Sequence, residues 1–348
     1  MKKMLLIIML IAFLPIPSAL AVKVSSLYQA EISVASQGSD EREQATREGF
    51  LQVLMKISGD TQIEKNPLIH SNLKRAEYYV QEFSYFTPST TASQYILQIH
   101  YNVNDINRLL KKAGISSWGQ NRPLILVWLA WTDKQDNTEI VGNEESAINI
   151  FADMKRQARN SGLPLIFPMM DVSDMDRITS DNVIEKSLPL LKEASKRYAP
   201  DALLIGHIQQ YDDTYESDWQ FVLNGEQWNW TISDASTKSI ASSVIMQISQ
   251  TLSKRYSVKA IDKISTRLQL EVSNITQRDD LAQLIQYLNQ LTPVQQVQLL
   301  QVSGSSVKLS VLVKGSSATF QQHASIGQRL VQIPSESSDN QLIYEWAH

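Results

Sequence analysis

Apolar positions between residues 22 and 118 change repeatedly from an alternating pattern to a helical one. Every second residue from Tyr28 to Val34 is apolar, which predicts a half-buried strand. We expect a helix to follow, with Asp40 and Glu43 forming a capping box at its start and Gly59 at its end. The complete element order is β-α-α-β-β-α, which predicts an N-terminal α+β domain.

A continuous apolar run, residues 123–130, begins a different pattern. Such runs are typical of strands that are covered on both faces of a sheet. Helical and buried-strand patterns then alternate, with further strands expected at 163–170 and 202–208. Two alternating runs flank Asn224-Gly225, a preferred sequence for a tight hairpin turn. Residues 119–258 are therefore predicted to form a central parallel-sheet α/β domain with an antiparallel hairpin.

The last segment, residues 259–348, follows the order β-α-β-β-α-β. Its second helix is expected from Ala318 to Leu330 and its final strand from Leu342 to Trp346. This order predicts a C-terminal ferredoxin-like module. The predicted fold class is thus α/β and α+β, in tandem small modules.

The first 21 residues have the layout of a secretory signal peptide. Lys2 and Lys3 precede an apolar run from Met4 to Leu14, and small residues follow up to Ala21. This run is about half the roughly 20 residues that a membrane-spanning helix needs. We therefore predict residues 1–21 to be a signal peptide cleaved after Ala21, and the mature protein to be periplasmic with no transmembrane segment.

Composition narrows the class of protein further. The sequence contains no cysteine, which excludes disulfides, thiolate metal sites and a lipid anchor on an N-terminal cysteine. With 43% hydrophobic and 20% charged residues, the composition is that of a globular protein. The net charge of −4 and the scattered lysines argue against a nucleic-acid partner, which would need a basic stripe.

Several sequence blocks resemble domain of unknown function 2066, a family of exported envelope proteins of gammaproteobacteria. These blocks are residues 27–30, 122–130, 162–165 and 201–206. The resemblance implies export without implying an activity or a catalytic residue. The central segment is also similar in layout to the amino-terminal domain of the periplasmic propeller protein of the Tol-Pal system, and to outer-membrane lipoproteins that activate peptidoglycan synthases.

Acidic residues follow the predicted strands of the central domain. Ligands of open α/β sheets bind beyond the carboxyl ends of the strands. Asp133 follows the first strand, Asp171 follows the second, and His207 lies near the end of the third, so these three are the candidate catalytic residues. Asp171, Asp174 and Asp176 are the candidate metal ligands. Acids after strands are also ordinary turn residues and helix caps.

Aromatic residues of the predicted hairpin suggest a different kind of site. Trp219, Trp228 and Trp230 share one face, which can stack on sugar rings or receive apolar side chains of a partner. The alternative is that this face packs under the helix from Ile240 to Tyr256, because large exposed apolar patches are uncommon on soluble monomers.

The sequence lacks the Gly-x-Ser-x-Gly, phosphate-loop, dinucleotide-binding and His-Glu-x-x-His motifs. We therefore interpret the chain as a non-enzymatic periplasmic accessory or scaffold protein that needs no cofactor. It is expected to bind an unidentified envelope protein, with the central domain providing the surface. The alternatives are a metal-assisted hydrolase at the edge of the central sheet and a glycan-binding module that uses the aromatic hairpin.

Overall fold

The computed structural model describes residues 24, 26–87, 95–142, 149–258, 264–334 and 340–347. Within these ranges the protein is a mixed α/β structure with three multi-strand sheets and ten α-helices. The predicted signal peptide lies outside the described residues. None of the described helices has the length and apolar character that crossing a membrane requires.

The N-terminal sheet has three antiparallel strands in the order β1-β3-β2. Its elements are β1 (Gln29–Val34), α1 (Ser39–Ser58), α2 (Pro67–Leu73), β2 (Val80–Phe86), β3 (Tyr95–Tyr101) and α3 (Val103–Lys112). One face of α1 is buried against the sheet, with Phe50, Val53 and Leu54 in a core that also contains Leu97 and Ile99.

The predicted capping box of α1 is wrong. The N-cap residue is Gly38, which has no side chain to accept a hydrogen bond, and Asp40 lies inside the first turn. Its carboxylate there is still favourable beside the partial positive charge of the helix N-terminus. The predicted end is correct, because Gly59 terminates α1 with a left-handed φ of 70°.

The central sheet has the strand order β5-β4-β7-β8-β9, and β6 pairs with β4. Strand β4 is parallel to β6 and β7, and the remaining pairs are antiparallel. Its strands are β4 (Ile125–Thr132), β5 (Thr138–Ile140), β6 (Leu165–Ile166), β7 (Ala202–Gln210), β8 (Tyr215–Leu223) and β9 (Glu226–Asp234). Its helices are α4 (Asn149–Ser161), α5 (Val172–Met175), α6 (Ser180–Ile184), α7 (Leu188–Ser195) and α8 (Thr237–Tyr256).

Both faces of β4 are buried, as its uninterrupted apolar sequence requires. Val127 and Leu129 lie in a core that includes residues of α4 and α8. Leu126 and Trp128 face the opposite core, which includes residues of α6 and α7. The sheet is therefore the middle of three layers.

The C-terminal sheet has the strand order β11-β12-β10-β14-β13. Its elements are β10 (Ser265–Ser273), α9 (Asp280–Gln290), β11 (Val294–Ser303), β12 (Ser306–Lys314), α10 (Ser317–Ala324), β13 (Leu330–Ile333) and β14 (Gln341–Trp346). The helix predicted to reach Leu330 ends at Ala324, because Gly327 has a φ of 76° and Leu330 begins an additional strand. A four-residue edge strand of this kind has too few positions to show a pattern.

Arg122 joins the N-terminal and central sheets from a fully buried position. Its guanidinium donates to five backbone carbonyls, those of Lys56, Trp118, Gly119, Ser161 and Gly162, at 2.6 to 3.4 Å. These carbonyls include the C-terminal ends of α1 and α4, where the helix dipoles favour a cation. We call this cluster the Arg122 junction.

Contacts between the central and C-terminal sheets lie close by. Asp201 accepts hydrogen bonds from the backbone N–H groups of Leu124 and Gly327, both at 2.8 Å. Tyr256 of α8 stacks against Trp118 and makes an edge contact with His323 of α10. Burial lowers the pKa of His323 to about 4, so this imidazole is neutral in the folded protein at pH 7.

Candidate functional site

The loop after β6, residues 168–176, contains the three acidic residues predicted to be metal ligands, Asp171, Asp174 and Asp176. Asp171 is the N-cap of the short helix α5. Its carboxylate accepts two hydrogen bonds from Arg197, each of 2.7 Å, in a bidentate pair. The hydrogen bonds from Arg197 are the main reason why the pKa of Asp171 is lowered to about 2.

Asp174 has a different position, since it is almost completely buried under the loop. Its carboxylate accepts hydrogen bonds from the Tyr198 hydroxyl, from the Arg197 guanidinium and from the backbone N–H of Met170. The pKa of Tyr198 is raised to about 12, first by burial and then by its bond to Asp174. The same hydroxyl accepts from the N–H of Met169 at 2.9 Å.

Through these hydrogen bonds Asp171 and Asp174 hold the loop in place. Asp176 is exposed and follows α5 as its C-cap residue. In the part of the chain that the structure describes, no three His, Asp or Glu side chains are grouped as metal ligands would be. The structure therefore does not assemble Asp171, Asp174 and Asp176 into a metal site, because their oxygens are used by protein donors or point to water.

The candidate catalytic residues are not brought together either. Asp133 is exposed and binds its own turn through the N–H groups of Gln135 and Asn137. His207 is half-buried, and its Nε2 lies 2.9 Å from the Thr132 hydroxyl. Burial lowers the pKa of His207. Asp133, Asp171 and His207 thus have separate partners, which are its own turn for Asp133, Arg197 for Asp171 and Thr132 for His207.

Trp219, a candidate partner-binding residue, is fully buried in the core beneath α8. Its ring lies directly over Gly206, where an added Cβ would be 2.3 Å from the indole. Trp228 and Trp230 are half-buried against the same core. Trp219 is therefore unavailable to a glycan or a protein partner, because this face of the hairpin covers the core.

The 168–176 loop also presents three apolar side chains to solvent, beside the exposed Ser173 and Asp176. Met169 is 57% exposed, Val172 68% and Met175 57%. The exposure of Met169 was not predicted, because this residue falls within the buried strand expected over 163–170. Strand β6 has only two residues, and Met170 then takes a left-handed φ of 51° that turns the chain. The useful signal in the sequence was Met-Met-Asp-Val-Ser-Asp-Met, in which apolar and acidic residues are closely mixed.

A cavity of about 370 Å³ lies beside the start of β7 and the end of β8. It is lined by polar residues such as Lys192, Lys196, Asn224 and Gln328, and by apolar residues such as Leu203 and Val222. Its size is that of a small-molecule pocket. The Lys196 ammonium is paired with Glu193 at 2.5 Å, and the Asp201 carboxylate is used by backbone N–H groups.

Residues 21–119 match the model of a domain of unknown function, DUF8605. The expected membership of domain of unknown function 2066 is therefore wrong. No curated protein is a significant sequence match to the chain.

Three solved structures have partial likeness to the chain. The crystal structure of lipoprotein GNA1162 from Neisseria meningitidis has 16% identity and a TM-score of 0.25, over 37% of this chain and 99% of that one. The LpoB C-terminal domain from Salmonella enterica has 12% identity and a TM-score of 0.23, over 37% and 92%. An uncharacterized protein has 10% identity and a TM-score of 0.15, over 38% and 93%. At these scores the likenesses carry no argument about function.

Proposed function

We propose that this protein is a non-enzymatic accessory or scaffold protein of the bacterial envelope, and that it binds a partner protein through the 168–176 loop. The observation that carries the proposal is the division of this loop into two sides. Asp171 and Asp174 are hydrogen-bonded to Arg197 and Tyr198, while the apolar side chains of Met169, Val172 and Met175 are exposed.

An exposed apolar group on a well-anchored loop favours protein binding for two reasons. Burying a side chain of this size contributes about 1.5–3 kcal/mol, so three of them supply a useful part of a binding free energy. Anchoring by Asp171 and Asp174 reduces the conformational entropy that binding would otherwise cost. Methionine side chains also adapt to irregular partner surfaces.

The assignment to the envelope rests on the pattern of residues 1–21, with its lysines, short apolar run and small residues before Ala21. Mass spectrometry of the protein purified from its native host tests it directly. We expect a mature chain that begins at Val22 and is recovered in the periplasmic fraction. A full-length chain in the cytoplasm would contradict the assignment.

Site-specific photo-crosslinking in intact cells tests the partner site. A photoreactive amino acid at Val172 should give one reproducible crosslinked species of defined mass. The matched control is Met246, which is 41% exposed on α8 of the same domain and should give none. A second control co-expresses an unlabelled competitor with the probe-bearing chain. The unlabelled wild-type chain should reduce the yield of the crosslinked species, whereas an unlabelled Val172→Asp chain should not.

The proposed site fails if position 172 gives no product, or if positions 172 and 246 give the same products.

A further inference from the structure

Strand β11 is an open edge of the C-terminal sheet. It pairs with β12 on one side only, and its ten residues leave outward N–H and C=O groups without a strand partner in the described structure. Natural proteins protect such edges with charged side chains, proline, bulges or short length. β11 does have two register shifts against β12, at Val294–Gln296 and at Leu299–Gln301. With ten residues it is nevertheless long for an edge strand.

The charged residues that protect most edges are missing over a wide region. From Leu281 to Val307 the sequence contains no Asp, Glu, Lys, Arg or His. This segment includes most of α9 and all of β11. Three apolar side chains of β11 are also exposed, with Leu299, Leu300 and Val302 between 41% and 55% accessible.

The opposite edge of the same sheet is different. Strand β13 has four residues, and charged residues lie next to it. Arg329 immediately precedes it and lies over the Trp346 ring, while Val331 is in register with Glu345. One edge is therefore short and flanked by charges, and the other is long and neutral.

We infer that β11 is a dimerisation strand that pairs antiparallel with β11 of a second copy of this chain. In a two-fold interface each side chain meets copies of its own neighbours. A lysine or glutamate would then meet its own charge, whereas a glutamine amide both donates and accepts and is complementary to itself. β11 contains Gln295, Gln296, Gln298 and Gln301 and no charge.

The pairing joins two five-stranded sheets into one continuous sheet. It satisfies the outward backbone groups of both edges and covers Leu299, Leu300 and Val302. Backbone hydrogen bonds along the strand provide the affinity in such contacts, and the side chains set the register. This site is separate from the 168–176 loop, so the two proposals succeed or fail independently.

Sedimentation of the full mature chain tests the inference. We expect a monomer–dimer equilibrium with a dissociation constant of about 10 µM, between the micromolar and millimolar values of weak complexes. Val302→Lys places like charges on both copies and should shift the dissociation constant by at least tenfold. Val331→Lys is the matched control, since Val331 is 49% exposed on the other edge, and it should leave the constant unchanged.

Because the chain has no cysteine, single introduced cysteines report the contact directly. Gln296→Cys, Gln298→Cys and Gln301→Cys are expected to include at least one variant that forms a disulfide-linked dimer on oxidation, and Gln332→Cys on β13 is expected to stay monomeric. A wild-type chain that is monomeric at all concentrations up to about 100 µM overturns the inference. So does a dimer that Val331→Lys dissociates and Val302→Lys does not.

Discussion

Two arginines organise this protein in opposite ways. Arg122 is buried and donates only to backbone carbonyls at the ends of two helices. Arg197 is partly exposed and forms a bidentate pair with Asp171. The first connects two sheets through their interior, and the second fixes one loop at the surface.

Burial explains why the two positions have different roles. A buried guanidinium has no water to bind and donates only to acceptors of the protein. Water cannot replace it when it is removed, so several buried carbonyls are left unsatisfied. A guanidinium beside water can exchange its partner for solvent at little cost. The Arg122 junction should therefore control stability, while Arg197 should control the order of the 168–176 loop.

Arg122→Met tests the junction most severely. The methionine keeps much of the apolar stem of the side chain, but it lacks the guanidinium N–H groups that donate to five backbone carbonyls. We expect the free energy of unfolding to fall by about 3–5 kcal/mol. Denaturant titration measures the change, with Arg197→Met as the matched control. If both variants lost the same free energy of unfolding, burial would not explain the different contributions of Arg122 and Arg197 to stability.

Gly162→Ala is expected to have the next largest effect. Gly162 has a φ of 66°, and an added Cβ would lie 2.7 Å from Leu27 and 2.9 Å from the Arg122 guanidinium. The left-handed backbone and the overpacking together should cost about 2–4 kcal/mol. Gly225→Ala is the control, because its φ is 83° and no atom lies within 4 Å of the added Cβ. An equal loss in both variants would show that backbone strain alone is responsible.

Lys56, the other buried cation of the junction, predicts a pH dependence. Its ammonium donates to the carbonyls of Ser26 and Gln29, and burial lowers its pKa from 10.5 to about 8. Between these values the unfolded chain binds a proton that the folded chain does not. Stability from this group should therefore rise as the pH increases from about 8 towards 10.

Unfolding titrations at a series of pH values, in the wild type and in Lys56→Met, measure this slope. The variant should lose the rise. The 168–176 loop should add no slope in this range, since the pKa of Asp171 is about 2 and its carboxylate is ionised in both states. A rise that persists in Lys56→Met would assign the effect to other groups.

Arg197→Ala should have the smallest effect on stability and a clear local effect. The pair with Asp171 is exposed to water, and the buried Asp174 keeps its hydrogen bonds from Tyr198 and the Met170 N–H, so the free energy of unfolding should fall less than in Arg122→Met. Without it, the loop loses three of its hydrogen bonds and should be cleaved faster in limited proteolysis. Arg47→Ala, which breaks an exposed pair with Glu43 on α1, is the control and should leave cleavage within 168–176 unchanged.

Periodic patterns were sufficient to predict a mixed α/β protein. The run at 123–130 predicted a strand with two buried faces, and β4 has them. The C-terminal end of α1 was also predicted correctly, because Gly59 is its C-cap residue. Short elements such as β5, α5 and β13 were not predicted, because three or four residues show no period.

The candidate sites depended on information that a linear pattern does not contain. Asp133 follows β4 as predicted, whereas Asp171 lies five residues beyond the end of β6, and the chemistry of Asp171 depends on neighbours from distant segments. Asp171 is 26 residues from Arg197 in sequence, and Trp219 faces Gly206 across a strand pair. Hydrogen bonds and burial of this kind are set only when the chain has folded.

The sequence by itself determined the mixed α/β class, the absence of cysteine chemistry and the neutral stretch from Leu281 to Val307. Those properties depend on residue types and their local spacing. Only the tertiary structure decided that Asp171 and Asp174 anchor a loop, that Trp219 belongs to the core, and that Arg122 joins two sheets. Each of these roles follows from partners that folding brings together, because burial and hydrogen bonding belong to the assembled structure.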